Sequence, residues 1–234
     1  MKRTTKLLFA LFMVAALTGC GGPKPSAADE AVEIDAEHFP DEHFRSHLLA
    51  QPYGEDGVLT AEEIKTVTYM DIAAKGIADL TGIKHFTALM TLDCRRNERL
   101  EAVDVAGCEA LQYVNCAECR VTTIDVRGCA QLRYLDCGEN RLTELDVAGC
   151  TRLNALVCPG NQLTRLDVGG CEALETMDCS RNRLTELDVS GCKALALLYC
   201  NDNRLTRIDT TGCTQLKRLE CEAEGTTSNQ RNEI

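Results

Sequence analysis

Between residues 67 and 221 the apolar positions recur in a pattern that neither an amphipathic helix nor a simple alternating strand produces. The segment LDCGENRLTELDVAGCTRLNA at 135–155 returns as LVCPGNQLTRLDVGGCEALET, MDCSRNRLTELDVSGCKALAL and LYCNDNRLTRIDTTGCTQLKR, a period of 21 residues. One unit places Leu132, Leu135, Cys137, Leu142, Leu145, Val147 and Cys150 inward, with Asn140 among them. Such spacing predicts a coil whose inward side chains stack on their counterparts about one strand spacing, ~4.8 Å, away. The Leu-x-Cys segment alternates as a short strand does, so neighbouring coils should share a continuous parallel sheet on one face. The fold class read from the pattern is a leucine-rich-repeat solenoid, with the parallel sheet on its concave face, 21-residue coils and a small α-helical N-terminal cap.

Two cysteine columns mark the coils. One runs Cys94, Cys116, Cys137, Cys158, Cys179, Cys200 and Cys221, and its first interval is 22 residues instead of 21. The other runs Cys108, Cys129, Cys150, Cys171, Cys192 and Cys213. Asn140, Asn161, Asn182 and Asn203 form a third column, expected to be buried because an inward amide can satisfy backbone groups freed where each coil turns. Cys119 stands where one coil should have its asparagine. A cysteine-free coil precedes them at Val67, Met70, Ile72, Ile77, Leu80, Ile83, Phe86 and Leu89.

Residues 35–66 read as a helix-loop-helix cap over the open first coil, with Pro40 suited to a first helical turn and Asp41 and Glu42 to its positive end. The polar stretch 222–234 reads as a tail, and Glu220, Glu222 and Glu224 put charge on the last strand, which discourages end-to-end pairing.

Composition agrees with a repetitive core of small and branched side chains: Trp is absent and only five Tyr and five Phe are present. Residues 1–19 begin with Lys2, Arg3 and Lys6, continue through an apolar run from Leu7 to Leu17 and end in small residues, as an export signal does. Leu17-Thr18-Gly19-Cys20 resembles the lipobox of bacterial lipoproteins, which implies acylation of Cys20, and the Gly- and Pro-rich stretch after it suits a flexible tether over 20–34. Loss of the three cations takes the net charge from −11 to −14. An acidic body of that kind argues against nucleic acid or anionic lipid as partner.

The repeats at 67–221 resemble the internalin class of bacterial leucine-rich-repeat surface proteins, and within it the internalin J type with its stacked cysteines. The resemblance implies recognition of a protein or glycan partner without naming one. The second cysteine column departs from it, since similar repeats commonly carry Asn there, and with no cell-wall sorting motif the anchor would be the lipidated Cys20. The expected setting is the bacterial cell envelope, lipid-anchored and at the outer membrane or cell surface, as a monomer without a cofactor.

Fourteen cysteines beyond Cys20 would ordinarily suggest disulfides. Side chains stacked in one column all point the same way, however, which disfavours the near-perpendicular S–S torsion, so buried free thiols are expected. Cys116-Ala-Glu-Cys119 has a redox or zinc spacing but no partner pair. Asp56, Thr60 and Glu63 match the second half of an EF-hand loop, whereas Pro52 and Gly54 occupy ligand positions of the first half, so calcium affinity should be poor. His43 and His47 share a helical face without a third ligand. Asp104, Asp125, Asp146, Asp167, Asp188 and Asp209 form a carboxylate column whose neighbours repel by about 0.8 kcal/mol per pair in water. Hydrogen bonds from the following turn are the expected compensation, with a cation rail as the rival. Glu144, Arg165, Glu186 and Arg207 alternate in sign beside it, as if paired between coils.

No nucleophile elbow or phosphate loop is present, so the chain reads as a binding scaffold and not an enzyme. Its outward strand positions form two rows, one of Thr91, Tyr113, Tyr134, Ala155, Thr176, Leu197 and Arg218, the other of Asp93, Asn115, Asp136, Val157, Asp178, Tyr199 and Glu220. Tyr113, Asn115, Tyr134, Asp136, Val157, Asp178, Leu197 and Tyr199 are the candidate ligand-binding residues. The alternative function is a structural envelope lipoprotein whose partner docks on the cap.

Overall fold

A computed structural model describes residues 31–221. The export signal over 1–19, the lipidation site Cys20, the first part of the tether and the tail over 222–234 lie outside the described residues. The tether expected over 20–34 is cut short by a strand: β1 (Val32–Glu33) pairs antiparallel with β2 (Val58–Leu59). Val32 and Ile34 alternate inward and are buried, and apolar burial of this kind is incompatible with a free linker.

Two helices complete the cap, α1 (Glu42–Leu49) and α2 (Ala61–Thr66). Pro40 is not in the first turn of α1, because Asp41 takes the N-cap and its Oδ1 accepts from Phe44 N at 2.8 Å. Its other oxygen accepts from Ala78 N at 2.8 Å, which ties the cap to the first coil. Phe39, Phe44, Leu48 and Leu59 are fully buried beneath these helices. Phe39 packs so closely on Gly82 that a Cβ there would lie 2.2 Å from the ring, and Gly82 also needs its φ of 98°.

Beyond the cap the chain is a solenoid. Eight three-residue strands, one per coil from Tyr69–Asp71 to Arg218–Glu220, form a parallel sheet in strict sequence order. Coil-to-coil register is constant, with Leu135 beside Leu156 and Leu156 beside Met177. The opposite side also holds short parallel strands, arranged as pairs such as Glu144–Asp146 with Arg165–Asp167. They arise because Leu145-Asp146-Val147 alternates in, out, in just as Leu135-Asp136-Cys137 does. The inward positions read from the sequence are buried in the coils between Val67 and Cys200, including the whole cysteine-free first coil, with Cys119, Ile124 and Leu166 only partly covered.

The asparagine column is a hydrogen-bonded ladder. Asn161 Nδ2 donates to the carbonyls of Cys137 (3.0 Å) and Cys158 (3.2 Å), one in the preceding coil and one in its own, while Oδ1 accepts from Leu142 N at 3.0 Å. Asn140 and Asn182 repeat the arrangement. Asn97 belongs to the ladder as well, donating to Ile72 O and Cys94 O and accepting from Ile77 N; the 22-residue interval hides it from a strict 21-residue alignment. No buried side-chain nitrogen or oxygen among the described residues lacks a partner.

Cys119 and the 22-residue interval have a common cause. The extra residue lies between Asn97 and Leu100, and there the chain makes its own turn, with Leu100 N donating to Asn97 O at 2.9 Å. Leu100 N is the group that an asparagine at 119 would otherwise accept from, as Asn140 accepts from Val121 N. With that amide already satisfied, a thiol suffices at 119, and its Sγ lies 3.4 Å from Asn97 N.

Replacing Asn161 with Ala strands Leu142 N–H in the core and takes one of two amide donors from each of the Cys137 and Cys158 carbonyls, which keep Asn140 and Asn182, and should cost about 1–3 kcal/mol. Cys119→Asn should shift stability by less than about 1 kcal/mol, because no amide there awaits an acceptor. Urea denaturation of both variants checks the pair. A third expectation concerns acid. Burial would raise the Asp41 pKa, but the backbone N–H groups of Ala78 and Phe44 outweigh it and hold the carboxyl below its usual value. That stabilisation is present above the unfolded value of about 3.9 and is lost as pH falls through the folded one. Wild type should therefore exceed Asp41→Asn by about 1–3 kcal/mol at neutral pH, and the gap should close below about pH 3 in pH-resolved urea melts.

Candidate functional site

The outward residues of the eight-stranded sheet form two rows in register, as their alternation requires. Tyr69, Thr91, Tyr113, Tyr134, Ala155, Thr176, Leu197 and Arg218 align in one. Asp71, Asp93, Asn115, Asp136, Val157, Asp178, Tyr199 and Glu220 align in the other. The sequence rows omit the first strand, Asp71 and with it Tyr69. Its Tyr-Met-Asp strand repeats the Tyr-Leu-Asp of 134–136, which was the available signal, and at 61% exposure it is the most accessible large hydrophobic residue described.

Tyr113 and Tyr134 stack with ring centroids 4.5 Å apart and planes 3° from parallel, as strand spacing dictates for identical side chains in adjacent coils. Burial and then the neighbouring Asp136 push the Tyr134 phenol up to about 12, so it stays protonated. Tyr199 carries the Arg218 guanidinium 5.5 Å from its ring centroid, and Arg218 Nε donates to Glu220 at 2.6 Å. Glu220 is therefore paired within its own strand.

Three of the candidate binding residues also have a local duty. Asn115, Asp136 and Asp178 accept from the backbone N–H two residues on, at 3.0, 3.0 and 2.9 Å, and so close the turn after each strand. Burial raises the Asp136 pKa. Val157 and Leu197 are half-buried between these turns.

The carboxylate column on the opposite side does the same. Asp104, Asp125, Asp146, Asp167, Asp188 and Asp209 each accept from the N–H two residues on, at 2.9–3.1 Å. Shallow grooves of about 520 and 500 Å³ run along this side, lined by Asp167, Asp188 and Asp209 and by Asp104, Asp125 and Asp146. Arginine pairing differs from the alternation read in the sequence: Arg165 bonds Asp167 at 3.2 Å and Arg207 lies 3.6 Å from Asp209, both within one strand. The carboxylate two residues along points to the same face and is nearer than a flexible glutamate on the next coil.

The remaining candidates do not converge. Asp56 accepts from Val58 N, while Thr60 and Glu63 form a reciprocal capping box that starts α2. Among the described residues no group of three His, Cys, Asp or Glu side chains is placed to hold a metal ion. All fourteen cysteines described are free thiols, with only Cys119 and Cys221 less than fully buried. Several second-column thiols also donate to the preceding coil's valine carbonyl, as Cys129 does to Val105 O at 3.2 Å and Cys213 to Val189 O at 3.1 Å. Burial raises the pKa of Cys129 and Cys171 to about 12, so neither is a thiolate at neutral pH.

No protein-family model and no curated protein matches the chain. Solved structures do. The functional domain of InlJ from Listeria monocytogenes, described as including a cysteine ladder, is 32% identical with a TM-score of 0.57 over 83% of this chain. The match covers 48% of that structure, so this chain spans about half its length. Internalin C2 from Listeria monocytogenes str. 4b F2365 is 15% identical with a TM-score of 0.51, over 86% of this chain and all of that one. TLR13 in its complex with ssRNA13 is 17% identical with a TM-score of 0.50, over 62% of this chain and 27% of that one. The last two show the fold alone. The molecule is a leucine-rich-repeat solenoid with an internalin-like architecture and a cysteine ladder.

Free, buried thiols should resist a colourimetric thiol reagent in the native state, with Cys119 and Cys221 reacting first. Under denaturant the same titration should count fourteen in chains acylated at Cys20 and fifteen where Cys20 is unmodified. A count near zero would contradict the ladder.

Proposed function

We propose that the protein is a non-catalytic recognition module, displayed on a bacterial envelope through lipidated Cys20, that binds a protein or glycan with the eight-stranded face. The observation that supports this most directly is the aromatic content of that face: Tyr69, Tyr113, Tyr134 and Tyr199 all lie on its two outward rows. Four of the five tyrosines of the chain thus stand where a solenoid meets a partner, and the stacked pair is held rigid by its own contact. Rigid rings bind with little loss of conformational entropy, which suits them to an interface. Asp136, Asp178, Val157 and Leu197 surround them with carboxylates and half-buried aliphatics, beside the buried amide of Asn115.

The grooves on the opposite side support a binding role less well. Their aspartates are already engaged by turn N–H groups, and several also by Arg127, Arg165 or Lys84. No helix among the described residues is long and apolar enough to cross a membrane, and the anchor in this reading is the acyl group on Cys20.

Replacement of Tyr113, Tyr134 and Tyr199 by Ser should abolish cross-linked capture of the native partner on intact cells while the urea midpoint stays close to wild type. Capture that persists in the triple variant but is lost on deleting residues 35–66 would move the site to the cap. Cys20→Ser should send the chain to the soluble fraction on cell fractionation, and retention with the membranes would rule out the lipid anchor.

A further inference from the structure

The aromatic stack on the sheet face ends abruptly. Tyr134 has a ring on one side, that of Tyr113, while on its other side the register places Ala155, whose methyl leaves the outer face of Tyr134 bare. Thr176 follows Ala155, so no side chain of the row refills the space. In the second row Val157 lies between Asp136 and Asp178. The result is a slot about one coil wide, ~4.8 Å. Its floor is Ala155 and Val157, its wall is a phenol ring, and a carboxylate flanks it on each side.

Both carboxylates have one oxygen committed and one left over. Asp136 Oδ1 accepts from Gly138 N at 3.0 Å, and its Oδ2 has only the Tyr134 hydroxyl at 3.5 Å. Asp178 Oδ1 accepts from Ser180 N and Oγ at 2.9 and 2.7 Å. Neither has a cation within ion-pair distance among the described residues, unlike Asp93, Asp125, Asp167 and Asp209. Burial raises the Asp136 pKa, as it does for a carboxylate whose counter-ion is missing.

The same face already shows what occupies such a place. Three coils on, the Arg218 guanidinium lies over the Tyr199 ring and bonds the carboxylate of Glu220. A planar cation satisfies both demands at once, by stacking on the ring and by directing N–H groups at the acid.

We propose that the slot between Tyr134 and Thr176 binds an arginine side chain of a polypeptide partner, its guanidinium stacked on Tyr134 above Ala155 and Val157 and hydrogen-bonded to Asp136 and Asp178. This rests on the reading of the sheet face as the recognition surface and names the chemistry it takes. Lysine lacks the planar fork, and a neutral glycan would leave both acids without a counter-ion.

The test uses the full chain with labelled methyl groups and four probes at physiological salt: hexa-arginine, hexa-lysine and hexa-citrulline peptides, and chitohexaose. Hexa-arginine should bind about tenfold more tightly than hexa-lysine, shift the Ala155 and Val157 methyl signals, and lose that preference in Ala155→Tyr, which fills the slot without changing the charge. Tyr134→Ala, which removes the ring from a half-buried position, should lose it too and serves if the first variant folds poorly. Equal affinity for the two cationic peptides, or an arginine preference intact in Ala155→Tyr, overturns the proposal. So do shifts confined to the Val105, Val126 and Val147 methyls beside the opposite aspartate column. Shifts at Ala155 and Val157 with chitohexaose but not with hexa-arginine would also overturn the arginine slot while leaving the sheet face as the binding surface.

Discussion

The coils of this molecule depend on one inward amide each, with the coil of Cys119 the exception. A chain that turns back on itself every 21 residues cannot pair all its backbone groups in a sheet, and those left at the turn are inside, away from water. Each ladder asparagine answers this with a single side chain that donates to carbonyls of two successive coils and accepts an N–H from the earlier one. Asparagine suits the position because it offers two donors and an acceptor at the end of a short, uncharged side chain. The constant register of the sheet follows, since the amide links neighbouring coils at a fixed height.

The departures from regularity obey the same requirement. Where one extra residue lets the chain close its own turn between Asn97 and Leu100, the ladder can drop an amide and hold a thiol at Cys119. Where Gly160 replaces the side chain of one coil, the Glu139 carboxylate lies across it to reach Arg181 two coils on. The cysteine columns fill the interior between Leu and Val without demanding oxidation. They are small enough for the coil, and several in the second column return a hydrogen bond to the valine carbonyl of the preceding coil, which an aliphatic side chain could not do.

Function is left to what the backbone does not use. Acidic residues end the strands on both sides, and on both they are largely spent on closing the next turn. The tyrosines have no such duty. Their rings stand outward on one side only, with Tyr113 and Tyr134 stacked by the coil spacing itself, so the same periodicity that builds the core also builds a rigid aromatic surface.

The period, the inward set, the parallel sheet and the two outward rows were all legible in the sequence, because a strict repeat imposes the same environment on each equivalent position and so declares it several times over. The first coil was legible too, down to Leu80 and Phe86, although it lacks cysteines. What needed the tertiary structure were events that occur once. The Asp41 bond to Ala78 crosses from cap to coil, the strand at Val32 pairs with Val58–Leu59, and arginines choose the aspartate beside them over the glutamate one coil away. The empty place beside Tyr134 belongs to this second group, for a repeat shows which residues share a row, but only the stacking of one ring on another shows which ring face is left bare. A repeat encodes stacking by copying it; single contacts between different surfaces have no copy, and only the folded chain decides them.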